Sequence, residues 1–374
     1  MGDAAIKPEG SPKRARRSRF SGDAKSNLDA KFDAQKLAFG PLMFQAARVL
    51  RDTGALQCIN ASGRKGITAD ELEAGVDCLT IYAARLLLEA GLAAEMVALE
   101  GDRYVLTKVG FFVQSDPMTT VNFDFVHDVC YQAFFHFGET IREGKPIGLK
   151  ELGPWATIYE GLTELPEQVQ RSWFAFDHYY SDSVFDAVLP MVFEPRPKRM
   201  LDIGGNTGKW ALQCCAHDPD VEVTILDHPG QLARALQNAV DAKCAERITG
   251  QAIDLLDADA QLPTGFDVVW LSQFLDCFGE DEIISILTRA RDSLVGGGRL
   301  FILETYWDRQ RYDAARFSVI NTSLYFAAVA NGNSKMYHSE RMKHCIDAAG
   351  LQIETETDNI GVSHTLFRCV PAIA

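Results

Sequence analysis

The chain has 374 residues, 47% hydrophobic and 24% charged, with a formal net charge of −14. That length predicts two domains with sizeable cores, and the acidic balance argues against nucleic acid or an anionic membrane as partner. No stretch approaches the roughly 18 apolar residues of a membrane span. The nine cysteines include no C-x-x-C and no zinc-like spacing, so they read as reduced thiols in a cytoplasmic protein without a metal.

Residues 1–30 carry a basic run at 11–19 and almost nothing apolar, the composition of a solvated tail. No apolar run follows it, which excludes a secretory leader. Residues 31–116 read as a winged helix. Apolar residues recur at helical spacing over 34–53, and Thr68 with Glu71 forms a capping-box pattern. A second helix is expected over 78–93, and residues 96–108 form a two-stranded wing turning at Gly101-Asp102. The helix that would read DNA offers Arg85 but no Lys, Asn or Gln for base edges, so its leucines point to a subunit interface instead.

Residues 117–194 are helical and dense in aromatics, among them Phe176 and Tyr180, a composition suited to a pocket for a flat apolar molecule. From 195 to 374 strands and helices alternate. Strands are expected at 199–204, 221–227, 247–254, 266–273, 299–306, 351–358 and 364–370. Helices fall at 207–217, 229–242, 279–295, 312–330 and 339–349. The pattern predicts a mostly parallel seven-stranded α/β sheet covered on both faces, with any ligand at the carboxyl ends of its strands.

The run Leu201-Asp-Ile-Gly-Gly-Asn-Thr-Gly208 leaves a strand through a glycine turn into a helix, and the next strand ends on Asp227. Glycines admit a close ligand, and a strand-end carboxylate binds ribose hydroxyls. Trp210 after Gly208-Lys209 breaks the P-loop pattern, and the spacing of Gly204, Gly205 and Gly208 breaks G-x-G-x-x-G. The remaining cofactor has a ribose and an amino-acid tail but no phosphate: S-adenosylmethionine, with Asp202 placed to meet its ammonium.

With Leu226-Asp-His-Pro229, Ala252-Ile-Asp-Leu255, Phe266-Asp-Val-Val269, Gly297-Gly-Arg-Leu-Phe-Ile-Leu-Glu304 and Asp347-Ala-Ala-Gly-Leu351 in order, the chain from about residue 30 onward resembles the caffeate and acetylserotonin type of O-methyltransferase. The resemblance implies a class I methyltransferase fold, Rossmann-like, behind an N-terminal winged-helix dimerisation domain. It implies a homodimer, a small aromatic acceptor, and S-adenosyl-L-homocysteine as product. Residue by residue it implies Gly204 under the cofactor, Asp227 on the ribose, and Asp254 with Leu255 around the adenine. Gly205, Gly208, His228, Ser272 and Gln273 complete the expected cofactor set, Ser272 standing where the family often has Lys. Phe176, Tyr180, Tyr325, Phe326 and Met336 are the expected acceptor contacts.

The catalytic motif departs from the family, which has a His base after the fourth strand. Here Phe274-Leu-Asp-Cys-Phe278 puts Asp276 in its place, with Glu304 matching one acidic partner and Met336 replacing the other. A phenol near pKa ~10 lies roughly 6 units, or about 8 kcal/mol, above an ordinary Asp. Four readings follow. Burial beside Glu304 raises the basicity of Asp276; the acceptor is itself acidic; His178 or His338 is the base; or the chain departs from ordinary O-methylation, by methylating a ring carbon or by binding the cofactor without transfer. Asp276 also reads as an N-cap of the helix expected at 279–295.

Overall fold

The run Arg199–Ile203 (β3) is buried at every position after Arg199 because both of its faces are covered, as in parallel sheets generally. The computed structural model describes residues 20, 22–181 and 184–373; the basic run at 11–19 lies outside them. The described residues up to Pro41 and those from Leu42 onward form two compact units. The first contains helix α1 (Asn27–Ala38), capped by the Ser26 hydroxyl, which accepts from the Asp29 N–H.

A single helix over 34–53 is not observed. A new helix, α2 (Gly40–Asp52), begins one residue before Pro41, which has no N–H to continue the preceding one. There follow α3 (Ala55–Ala61), α4 (Ala69–Gly75) with the expected Thr68 capping box, and α5 (Ile81–Ala93). This last helix starts at residue 81, not 78, because the Thr80 hydroxyl caps it. The wing is a hairpin of β1 (Val97–Glu100) and β2 (Arg103–Leu106). Helices α6 (Lys108–Ser115), α7 (Pro117–Phe125), α8 (Phe137–Glu143), α9 (Ile158–Gly161), α10 (Glu167–Ser181) and α11 (Phe185–Val192) lead to the sheet.

The sheet has β4 (Glu222–Asp227), β5 (Ile248–Ala252), β6 (Phe266–Ser272), β7 (Leu294–Glu304), β8 (Leu351–Ile360) and β9 (His364–Pro371) beside β3, in the order β5-β4-β3-β6-β7-β9-β8. The first five strands run parallel, and β9 is antiparallel to both neighbours. Covering helices are α12 (Lys209–His217), α13 (Pro229–Asp241), α14 (Glu280–Asp292), α15 (Asp313–Tyr325) and α16 (Ser339–Ala348). Strand β7 begins five residues earlier than expected because Leu294 already pairs with Phe266. The helical segment expected at 312–330 begins at Asp313, Tyr312 being its extended N-cap, and ends in a π-helical turn at Phe326–Ala330.

The chain winds outward from β3 to β5, then returns to lay β6 on the other side of β3. The loops leaving β3 and β6 therefore diverge at one point, where α/β sheets open a crevice. Alternate residues serve opposite cores: Met200 packs with Trp210, Trp270 and Phe301 on one face, Leu201 with Leu271, Ile302 and Phe367 on the other. Leu201 is fully buried, so Leu201→Ala is expected to destabilise the fold by about 2–5 kcal/mol, read from the urea midpoint at unchanged m-value.

Candidate active site

Beyond Ile203 the backbone turns through Gly204 (φ +74°) and Asn206 (φ +49°) into α12, whose N-cap is Gly208 (φ +77°). A Cβ on Gly204 would stand 2.2 Å from the Phe274 ring, so glycine is what lets the loops after β3 and β6 touch. At the end of β4, Asp227 accepts hydrogen bonds from the Asn206 N–H (2.8 Å) and the His228 N–H (2.7 Å). Burial nevertheless pushes its carboxyl above the usual range. Past the end of β5, Asp254 accepts from the Leu256 N–H at 2.9 Å.

These loops border a cavity of about 440 Å³. Gly204, Asp227, His228, Asp254, Leu255 and Gln273 line it together with Asp276. So do all five expected acceptor contacts, Phe176, Tyr180, Tyr325, Phe326 and Met336. Phe125 stacks on Phe176 at 4.0 Å and meets Tyr325 edge-on at 4.9 Å, making a connected aromatic wall.

A smaller recess of about 90 Å³ shares Asp177, Gly204, Asn206 and Gln273 with the cavity. Asp202, Gly205 and Ser272 line it, with His178 and Lys209, whose Nζ lies 3.1 Å from His178 Nδ1. Asp202 is 2% exposed, and its Oδ2 has no hydrogen-bond partner. Burial, with the Asp227 charge second, pushes its carboxyl up to about 8. Gly208 lines neither space; it packs against Ala235.

The expectations for Glu304, His178, His338 and Asp276 need correction. Glu304 is buried but does not line the cavity: its Oε1 accepts from the N–H groups of Phe274 (2.9 Å) and Leu275 (2.8 Å), behind the loop. His178 faces the smaller recess rather than the large cavity, and His338 caps α16 by accepting from the Glu340 N–H. Asp276 is not an N-cap, because Gly279 holds that position and its N–H donates to Glu282 at 2.7 Å.

Asp276 sits instead in a tight turn, Leu275–Cys277, with one weak bond from the Cys277 thiol at 3.5 Å. Burial raises its carboxyl well above the ordinary range, and the Asp177 charge adds to this. Glu304 is raised by burial and then by Asp276. The pair thus resists losing both protons.

Asp177, inside the aromatic segment, and Tyr159, one of the aromatics of 117–194, also line the cavity, though neither was singled out as a site residue. Asp177 was detectable, since Trp173, Phe176, Asp177 and Tyr180 follow i, i+3, i+4, i+7 spacing and share one face of α10. All four line the cavity. Tyr159 comes from the four-residue helix α9, too short to carry a period, and donates to Cys277 Sγ at 3.0 Å.

Two family models match: a Dimerisation2-like domain over residues 31–104 and an O-methyltransferase domain over 180–352. An L-tyrosine C(3)-methyltransferase from Streptomyces lavendulae is 24% identical over 335 residues, 87% of this chain and 89% of its own length. A 3-amino-4-hydroxybenzoate 4-O-methyltransferase from Streptomyces cremeus is 22% identical over 321 residues, 84% of this chain and 83% of its own. The crystal structure of the S-adenosylmethionine-dependent methyltransferase SibL superposes with a TM-score of 0.68 at 21% identity, covering 91% of this chain and 99% of that one. The chain belongs to the class I S-adenosylmethionine-dependent methyltransferases that join a Dimerisation2-like domain to an O-methyltransferase domain. Among the described residues no helix is long and apolar enough to cross a membrane, and no group of His, Cys, Asp and Glu has metal-site geometry.

Two outcomes follow. Gly204→Ala is expected to displace the Phe274 ring and weaken S-adenosylhomocysteine binding at least about tenfold by calorimetry, since a positive φ and a ring contact both oppose it. Asp202 holds its proton more tightly folded than unfolded. Its contribution to stability is therefore full below pH ~4 and lost as the pH rises through about 8. Asp202→Asn is expected to flatten that loss in the cofactor-free protein, seen as a smaller fall in Tm between pH 6 and pH 9.

Proposed function

We propose that the acceptor of this methyltransferase is a small phenol, methylated at its oxygen. The observation that carries the reading is a single cavity lined both by the strand-end carboxylates Asp227 and Asp254 and by the aromatic wall, with Asp276 facing the same space. The cofactor fits the residues present. Asp202, buried with a partnerless oxygen, suits the methionyl ammonium, and Lys209 with His178 in the same recess suits its carboxylate. Asp227 would hold the ribose hydroxyls, and Asp254 with Leu255 the adenine.

When bound, S-adenosylmethionine supplies an electrophilic methyl group on a sulfonium. The chain's part is to hold the acceptor oxygen in line and to take its proton, positioning being the larger contribution. The aromatic wall clamps the ring. Asp276 is the base, and each unit by which burial raises its carboxyl narrows the mismatch with a phenol by about 1.4 kcal/mol. Glu304 is a positioning residue, fixing the turn through two backbone N–H groups.

A second reading is methylation of a ring carbon ortho to the phenol oxygen, favoured by the similarity to an L-tyrosine C(3)-methyltransferase. The same base serves, because deprotonating the phenol activates the ring. NMR of the product distinguishes a methoxy from an aryl methyl group. We also propose a cytoplasmic homodimer through the N-terminal domain, supported by exposed Tyr82 and Leu86 on α5 and exposed Phe111 and Phe112 on α6.

Asp276→Asn is expected to lower kcat by about 10²–10⁴ while leaving S-adenosylhomocysteine affinity unchanged. In the wild type the acid limb of kcat should lie above the ordinary carboxylate range, since the base must ionise against burial. Unchanged turnover in the variant would remove Asp276 from proton transfer.

A further inference from the structure

The turn that carries Asp276 is tied down along its backbone. Phe274 and Leu275 donate their N–H groups to Glu304, and the Asn331 amide donates to the Cys277 carbonyl. The Tyr337 hydroxyl donates to the Phe278 carbonyl at 2.6 Å. These bonds place the backbone of Asp276 but do not set the direction of its carboxyl. One side chain does: the Cys277 thiol donates to Oδ1 at 3.5 Å, and among the described residues no other side chain bonds Asp276.

The thiol is itself oriented. From α9 the Tyr159 hydroxyl donates to Cys277 Sγ at 3.0 Å. A sulfur that accepts a phenol on one side turns its own weak S–H elsewhere, and Asp276 Oδ1 is the acceptor it meets. Burial pushes the Cys277 thiol well up, so it keeps its proton and remains a donor. Tyr159, Cys277 and Asp276 all line the cavity.

The other polar groups on the cavity wall do not duplicate this arrangement. Asn331 serves the Cys277 carbonyl, and Asn333 donates to Glu282. Ser318 and Thr322 turn their hydroxyls to carbonyls of α15, at 3.1 and 3.0 Å. The charge on Asp276 is therefore set by few neighbours. Burial, then Asp177 on α10, push its carboxyl up, while the Cys277 thiol and its own backbone N–H pull it down. The remaining titratable groups facing it are Glu304 at the end of β7, Tyr306 beyond it, Tyr337 before α16, and Tyr159.

We propose that Cys277 and Tyr159 are positioning residues: Tyr159 aims the thiol, the thiol holds Oδ1 of Asp276, and Oδ2 is presented to the acceptor oxygen. This rests on Asp276 being the base under the phenol-methylating reading. The acceptor proton passes to Oδ2, and the thiol keeps its own throughout. A donor on Oδ1 also favours the ionised carboxylate, the form that can take a proton.

The test follows Asp276 directly, by infrared difference spectroscopy of the full chain. Each protein is compared with its own Asp276→Asn counterpart, which isolates the carboxyl band and its titration midpoint without any acceptor. Cys277→Ala is expected to raise that midpoint by about one pH unit. Cys277→Ser restores a donor and should hold it at or below the wild-type value. Tyr159→Phe keeps the ring and should raise it by about half a unit, which also reads the chain if Cys277→Ala folds poorly. Equal midpoints in the Ala and Ser variants, or no rise in either Cys277→Ala or Tyr159→Phe, would overturn the proposal.

Methyl transfer from S-adenosylmethionine to 4-ethylphenol separates this from the assignment of the base. An acid limb of kcat that moves with the midpoint supports both, and at a fixed pH below the limb a one-unit rise reads as about tenfold lower kcat. Shifted midpoints with undiminished turnover in Asp276→Asn would sink the base and leave the hold of Cys277 on Asp276 standing. Unshifted midpoints with slow turnover in Asp276→Asn would do the reverse. No product from the wild type would count against the phenol reading, and the midpoints would still decide the proposal.

Discussion

One carboxylate ties the active region together. Glu304 ends β7 inside the protein and accepts the N–H groups of both Phe274 and Leu275, so the loop leaving β6 cannot move independently of the central sheet. That loop carries Phe274 against Gly204 on one side and Asp276 toward the cavity on the other. The glycine turn, the base and the strand-end acids are thereby referred to a single rigid frame, which reactions depending on sub-ångström alignment require.

Much of this was readable in the residues. Parallel strands covered on both faces appear as apolar runs, so the seven strands emerged in order. The glycine turn followed by Asp227 identified the cofactor class, because few ligands ask for close backbone approach, a ribose acceptor and no phosphate cradle. Harder to read was direction. Glu304 at a strand end announces proximity to the crevice, but its side chain serves the loop rather than the cavity, a matter of strand parity and loop path that no local pattern encodes. His178 is likewise one position past Asp177 on α10, and where Asp177 borders both spaces His178 borders the recess alone.

Boundaries slipped where a side chain competed with periodicity. Thr80 and Gly208 start their helices later than the apolar spacing predicts, one by hydroxyl capping and the other through a left-handed backbone. Pro41 divides what reads as a continuous helical stripe. Glu282 takes the cap of α14 by accepting from Gly279, which releases Asp276 from the structural duty its sequence position suggested. Capping chemistry therefore decides which acid is left for the site.

Trp210 and Trp270 stack at 4.0 Å with their planes 14° apart, and both line the small recess. Indole rings so close and nearly parallel share their electronic excitation, so their joint near-ultraviolet signal depends on the spacing and angle of the pair. The fold thus contains an intrinsic optical gauge beside Asp202, readable by circular dichroism without any label.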